Sequence, residues 1–162
     1  EFKSDFMDVF LAAKCAFCIG TASGYYPLAT YFNKPILLTN HLPLIGIYEI
    51  DQNSIILPKT IVKENGDILE INKIMSSSIM LLGTNDAYKK NNLKIINNSP
   101  TELLEATKEM LNILIDFKPN KDFIKQNERF RERVKNFEIF KNYNDLKILG
   151  NISSSFISKY ND

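Results

Sequence analysis

The 162-residue sequence predicts an α/β fold of Rossmann-like, three-layer type built on a parallel sheet. Three observations predict it. Strand-like apolar runs and helix-like periodic segments alternate along the chain. The run "PILLT" after Pro35 is continuously apolar, as a strand covered on both faces would be. "AFCIG", "YYPLATYF" and "PILLT" also form a strand-helix-strand unit, for which a right-handed parallel crossover is the default.

The elements follow in order. "FMDVFLAAK" reads as a helix capped by Ser4, with Phe6, Val9, Phe10 and Ala13 on one helical face. "AFCIG" is a short buried strand. "YYPLATYF" is a helix with Tyr25, Leu28, Ala29 and Phe32 on one side; Pro27 is tolerated in its first turn. The helix stops before Pro35. "NHLPLIGIYEIDQNS" is irregular, and "IILPK" is a strand ending at Pro58-Lys59. Asn65-Gly66 marks a turn between two partly apolar arms. A helix is expected from about Asn72 to Met80, despite Ser76 to Ser78. "GTNDAYKKNN" is a polar loop, and Leu93 to Ile96 a strand.

Ser99-Pro100-Thr101-Glu102 is a capping box with proline at the first helical position. Leu103, Thr107, Met110, Leu114 and Phe117 then keep helical spacing until Pro119. A second long helix places Phe123, Phe130, Val134 and Phe137 inward. Its outer face carries Arg129 and Arg133 interleaved with Glu128 and Glu132, a solvated face rather than a nucleic-acid surface. "SSSFISKY" closes the chain as a short helix.

Net charge is +1, so no strong field favours nucleic acid or an anionic membrane. No apolar run reaches the roughly 18 residues of a membrane span, and acidic residues stand where a signal peptide would be basic. A cytoplasmic protein is expected. Cys15 and Cys18 form "CAFC", but a zinc site needs about four ligands. There is no second pair and a single histidine, His41, so packing cysteines and no metal are expected. The chain opens on Glu1, close to its first helix, and offers only three or four strands. Both features lead to the expectation that upstream strands are missing.

The turn "GTASG", Gly20 to Gly24, is the candidate site. It is not a nucleophile elbow, because Thr21 and Tyr25 stand two residues either side of Ser23, where Gly-x-Ser-x-Gly needs glycines. Gly-Lys-Ser/Thr and Gly-x-Gly-x-x-Gly are absent. A strand ends here and a helix begins at about Ser23, so free N–H groups point out of the carboxyl edge of the sheet. Gly24 admits a ligand close to the backbone, and Thr21 and Ser23 add hydroxyls, an arrangement suited to a phosphate or diphosphate. The alternative is that Ser23 only caps the helix and the glycines only serve the turn.

The stretch "SDFMDVFLAAKCAFCIGTASGYYPLATYFNKPILLTN" resembles the C-terminal, nucleotide-sugar-binding half of GT-B glycosyltransferases. It is most similar to a large family of heptosyltransferase-like glycosyltransferases from bacterial surface-polysaccharide loci. "IILPKTIVKENGDILEINKIM", "LKIINNSPTELLEATKEML", "NERFRERVK" and "GNISSSFISKY" resemble later family segments in the same order. Together the five span nearly the whole chain.

The resemblance implies that residues 1–162 are the incomplete C-terminal part of a GT-B fold, without its N-terminal acceptor domain. It implies an enzyme that transfers a sugar from a nucleotide-diphosphate sugar to a surface-polysaccharide or glycolipid acceptor. This part alone is expected to be inactive. Thr21, Ser23 and Gly24 would contact the diphosphate, and Lys59 would reach a phosphate. Asn98 and Ser99 would lie near the ribose or base, and Asn40 on the cleft rim. No cofactor or metal is implied, no catalytic base is assigned, and any peripheral inner-membrane association would come through the missing part. Four departures stand out. Ala22 and Asn97 occupy positions where relatives carry acidic residues. Asp67 takes the place of an arginine, and Gly150-Asn151 replaces an arginine-bearing pattern. The alternative function is a non-catalytic nucleotide- or phosphate-binding α/β module. A serine hydrolase at Ser23 is the weakest reading.

Overall fold

The computed structural model describes residues 4–21, 26–44, 46, 50–116, 120–135 and 150–160. In chain order the elements are α1 (Asp5–Lys14), β1 (Cys18–Gly20), α2 (Tyr26–Tyr31), β2 (Ile36–His41), β3 (Ile55–Pro58), β4 (Thr60–Lys63), α3 (Ile71–Met75), α4 (Asn85–Lys90), β5 (Leu93–Ile96), α5 (Pro100–Asp116), α6 (Lys121–Lys135), β6 (Asn151–Ile152) and α7 (Ser154–Ile157). Short 3₁₀ turns cover Ser78–Leu81 and Ser158–Tyr160.

The fold is mixed α/β, with a Rossmann-like parallel sheet of four strands in the order β1-β2-β3-β6. Ile36, Leu37 and Leu38 of β2 and Ile55, Ile56 and Leu57 of β3 are all buried. Successive strand side chains point to opposite faces, so both faces of the central sheet are covered. Helix α2 packs on β1 and β2, and α5 on β2 and β3.

The strand Leu93–Ile96 forms as expected but does not join this sheet. It pairs antiparallel with β4 in a separate two-stranded ribbon, Thr60 opposite Ile96 and Lys63 opposite Leu93. Only Lys59 separates β3 from β4, and there the chain leaves the parallel sheet for the ribbon. Gly66 adopts φ +93° in the expected turn, which glycine allows without steric cost.

The apolar face of α1 is largely exposed: Phe6 is 72% exposed, Val9 and Phe10 are also exposed, Ala13 is half-buried, and Ala12 is the buried residue. Periodicity marks an apolar stripe, not what covers it, and α1 packs chiefly on α2. Phe6 and Phe10 stack on each other, ring centroids 6.0 Å apart. Two local expectations are corrected. The expected helix from Asn72 to Met80 breaks in two. Ser76 ends α3, and the Ser77 hydroxyl caps the following 3₁₀ turn by accepting from the Ile79 N–H. The polar stretch expected to be loop contains α4. The Thr84 hydroxyl accepts from the Ala87 N–H, and Tyr88, 1% exposed, anchors the helix in the core.

Other expectations hold. The Ser4 hydroxyl caps α1 by accepting from the Met7 N–H. The capping box is reciprocal: the Ser99 N–H donates to Glu102 Oε2 at 2.7 Å, and the Glu102 N–H to Ser99 Oγ at 3.3 Å. Met110 is fully buried, as are Phe123 and Phe130. Arg133, expected on a solvated face, is exposed but bonded: Nε donates to Asn72 Oδ1 and Nη1 to the Tyr160 carbonyl. Tyr25, Phe117, Pro119, Phe137 and the Val134 side chain lie outside the description.

Candidate functional site

In an open parallel sheet the ligand crevice lies beyond the carboxyl ends of the strands. Here a cleft of about 410 Å³ occupies that position, lined by Thr21, Asn40, Leu42, Lys59, Gly83, Asn85, Ile95 and Asn97. Thr21 follows β1, Asn40 lies near the end of β2, and Lys59 follows β3. Three consecutive parallel strands therefore deliver three of the expected residues to one place. The rest of the lining comes from the segment around α4 and from the end of the ribbon strand β5.

Asn40 is held by its backbone and its side chain. It adopts φ +49°, a left-handed conformation that asparagine tolerates better than most residues. The register of β2 on β3 shifts at this point, between Thr39 and His41. Its N–H donates to Asn98 Oδ1 at 2.5 Å, and the Asn98 N–H returns a bond to Asn40 Oδ1 at 2.7 Å. Asn98 Nδ2 donates to the Pro58 carbonyl at 2.7 Å. Asn98, buried, thus ties the chain after β5 to the ends of β2 and β3. Ser99 serves as the cap of α5. Neither Asn98 nor Ser99 lines the cleft. Ser23 and Gly24, with Ala22, lie outside the described residues.

Lys59 is half-buried, and its ammonium has no partner among the described residues. Its backbone N–H donates to the His41 carbonyl at 3.2 Å, which fixes the start of its side chain. No carboxylate belongs to the lining among the described residues, so the cleft carries one uncompensated positive charge. It suits an anion bearing neutral polar groups.

His41 is a neighbour of the cleft, not part of its lining. It is 3% exposed, and neither ring nitrogen has a partner among the described residues. Burial lowers its pKa to about 4, so the ring is neutral near pH 7. A Cβ on Gly46 would lie 2.2 Å from His41 Nε2, so the imidazole occupies space that only glycine leaves.

Away from the cleft, burial first, then the nearby Cys15, raise the Cys18 thiol pKa. Both cysteines are free and half-buried, as packing residues are. Among the described residues no cluster of His, Cys, Asp or Glu could hold a metal ion, and no helix is long and apolar enough to cross a membrane.

Sequence reasoning missed Leu42, Gly83, Asn85, Ile95 and Asn97 as cleft residues. Thr84-Asn85 within the "polar loop" offered one signal, a hydroxyl placed to cap a helix. Comparison with protein-family models, with curated proteins and with solved structures found no match.

Proposed function

We propose that this chain is the donor-binding part of a glycosyltransferase, holding a nucleotide-diphosphate sugar in the cleft at the carboxyl edge of the sheet. The observation that carries the reading is the convergence of Thr21, Asn40 and Lys59 from three successive parallel strands, with one free cation and no carboxylate among the described lining residues. The acceptor in this reading is a surface polysaccharide or glycolipid. Its hydroxyl attacks the sugar's anomeric carbon and gives up its proton to a base outside the described lining residues, and the bond from that carbon to the diphosphate oxygen breaks. Negative charge grows on the leaving diphosphate, where a positioned ammonium stabilises it. Lys59 is the group for that role, and Thr21 supplies a hydroxyl donor beside it.

A second reading is a nucleotide- or phosphate-binding module without catalysis. It is favoured by the absence of a titratable base among the described lining residues. Both readings require the cleft to bind a phosphate group; they part on sugar transfer. Calorimetric titration with UDP, ADP, GDP and inorganic phosphate tests the shared step. Binding of at least one nucleoside diphosphate, weakened about tenfold or more by Lys59→Ala, is expected, since a bond to a charged group contributes about 1.5–3 kcal/mol. No binding of any nucleoside diphosphate would remove the donor-binding reading, and no binding of inorganic phosphate either would remove both.

A further inference from the structure

The carboxyl ends of the first three parallel strands are laced together by side chains. Thr39, buried in β2, donates its hydroxyl to the Gly20 carbonyl at 3.1 Å, which fixes the end of β1 just before Thr21. Asn98 spans the next two ends: its Oδ1 accepts from the Asn40 N–H, and its Nδ2 donates to the Pro58 carbonyl. Lys59 is held beside them by its own N–H on the His41 carbonyl. Thr21, Asn40 and Lys59 therefore line the cleft from fixed backbone, as recognition groups require.

Asn40 carries one further constraint. Its Oδ1 accepts from the Asn98 N–H at 2.7 Å. A side-chain amide accepts at its oxygen and donates at its nitrogen. A main-chain N–H can bond the oxygen alone, so Asn98 decides which way the Asn40 amide lies. Asn98 does not line the cleft and Asn40 does. The accepting end of the amide is thus spent on Asn98, and Nδ2, which has no partner among the described residues, is left for the cleft. Neutral Asn40 thereby offers donors there. Lys59, on the adjoining strand end about 4.8 Å away, offers an ammonium.

We infer that Asn40 is an anion-binding residue: its Nδ2, held in the donating orientation by the Asn98 N–H, and the Lys59 ammonium bond the same phosphoryl group. This rests on the phosphate-binding reading above. A phosphoryl group carries several strong acceptor oxygens and no obligatory donor, which matches two donors on neighbouring strand ends. The backbone of Asn40 serves the same purpose. Its φ of +49° is a conformation that Asn, Asp and Gly adopt readily. Asn40→Asp and Asn40→Gly therefore keep the path of the chain. Asn40→Asp also keeps the acceptor for the Asn98 N–H and exchanges the Nδ2 donor alone for an oxygen.

The test is calorimetric titration of the wild-type chain, Asn40→Asp, Asn40→Gly, Asn97→Asp and Lys59→Ala with inorganic phosphate, pyrophosphate, UDP, ADP and GDP. The side-chain amide resonances of wild-type Asn40, assigned by their loss in Asn40→Asp, are followed in the same titrations. Asn97→Asp reports the effect of charge alone. Thr60 pairs with Ile96, so Asn97 comes beside Lys59 in the lining, and its aspartate adds the same negative charge without removing the oriented donor. The expected result is that the Asn40 side-chain amide shifts on binding and that Asn40→Gly weakens the bound probe about tenfold, as loss of a bond to a charged group does. Asn40→Asp should bind at least about tenfold more weakly than Asn97→Asp. Wild-type affinity in Asn40→Gly, equal loss in the two aspartate variants, or an unmoved Asn40 amide would overturn the role of Asn40. Weakening by Lys59→Ala would then still uphold the phosphate reading. A wild-type chain that binds none of the five probes would remove that reading itself, a result distinct from the others.

Discussion

Two asparagine-rich regions of this molecule use the same side chain in opposite ways. At the β6 flank the amides are consumed. Asn127 of α6, 1% exposed, accepts from the Ile152 N–H at 2.7 Å and donates to the Ile152 carbonyl at 3.0 Å. Its amide takes the place of a further strand and closes that edge of the sheet. Asn151 donates to the carbonyls of Gln52 and Ser54 and accepts from Arg131. At the cleft, Asn98 is consumed in the same manner, but Asn85 and Asn97 beside it are not. Buried amides that complete backbone bonding build the fold; free amides facing a cleft are available to a ligand.

The largest effect should come from breaking the closed flank. Asn127→Ala leaves the outer N–H and carbonyl of Ile152 buried without partners, with a cavity beside them. A loss of about 4 kcal/mol is expected, at one to three kcal/mol per orphaned group. Urea unfolding of the variant measures it, and a change of less than about 1 kcal/mol would show that the edge is not held this way.

His41 shows the other way a polar group can lack a partner: it is sealed in, not offered to solvent. Its folded pKa of about 4 lies below the ordinary 6.5, so the unfolded chain takes up a proton first on acidification. Stability should therefore be intact above about pH 6.5 and fall as pH drops towards 4, by about 3 kcal/mol from this group alone. Glu102 and Glu109 also titrate in acid. Burial would raise the pKa of Glu102, but hydrogen bonds from Lys159 and Ser99, with the Lys159 charge, outweigh it. Burial raises that of Glu109 against bonds from Ser153 and Ser154. The quantity to measure is thus the difference between wild type and His41→Asn across pH 4 to 7. A difference that does not vary with pH would contradict the buried neutral state.

Asn98→Ala should cost less than Asn127→Ala, about 2 kcal/mol, because Asn40 is only half-buried and water can replace part of what is lost. Smallest of all, Asn85→Ala and Asn97→Ala should shift stability by less than about 0.5 kcal/mol in thermal melts, as exposed residues without partners do. A large loss from either would place it with the structural asparagines and blur the contrast.

Legibility in the sequence followed how much signal each element carried. "PILLT" and "IILP" were readable because both faces are buried and, Thr39 apart, every residue is apolar. The Ser99 to Glu102 box was readable because capping is local chemistry. β6, at two residues, is too short to show any period. β4 and β5 show where local reading stops, since strand character does not tell which sheet a strand joins. Lys59 alone separates β3 from β4, a change of partner that only tertiary structure reveals. The cleft was half legible. Thr21 follows from a strand end, and Asn40 and Lys59 were expected only through the family resemblance, but Asn85 and Asn97 arrive from parts of the chain remote in sequence, and Asn85 sat inside a stretch that looked like loop.

The most direct test is to follow backbone amide resonances of the isotopically labelled chain during titration with UDP, ADP and GDP. The account predicts that with at least one of them the largest shifts fall on Thr21, Asn40, Lys59, Asn85 and Asn97, while those around a second cavity between α5, α6 and α7, lined by Glu109, Gln126 and Ser154, stay in place. Shifts centred on that second group, or none with any of the three nucleotides, would contradict it.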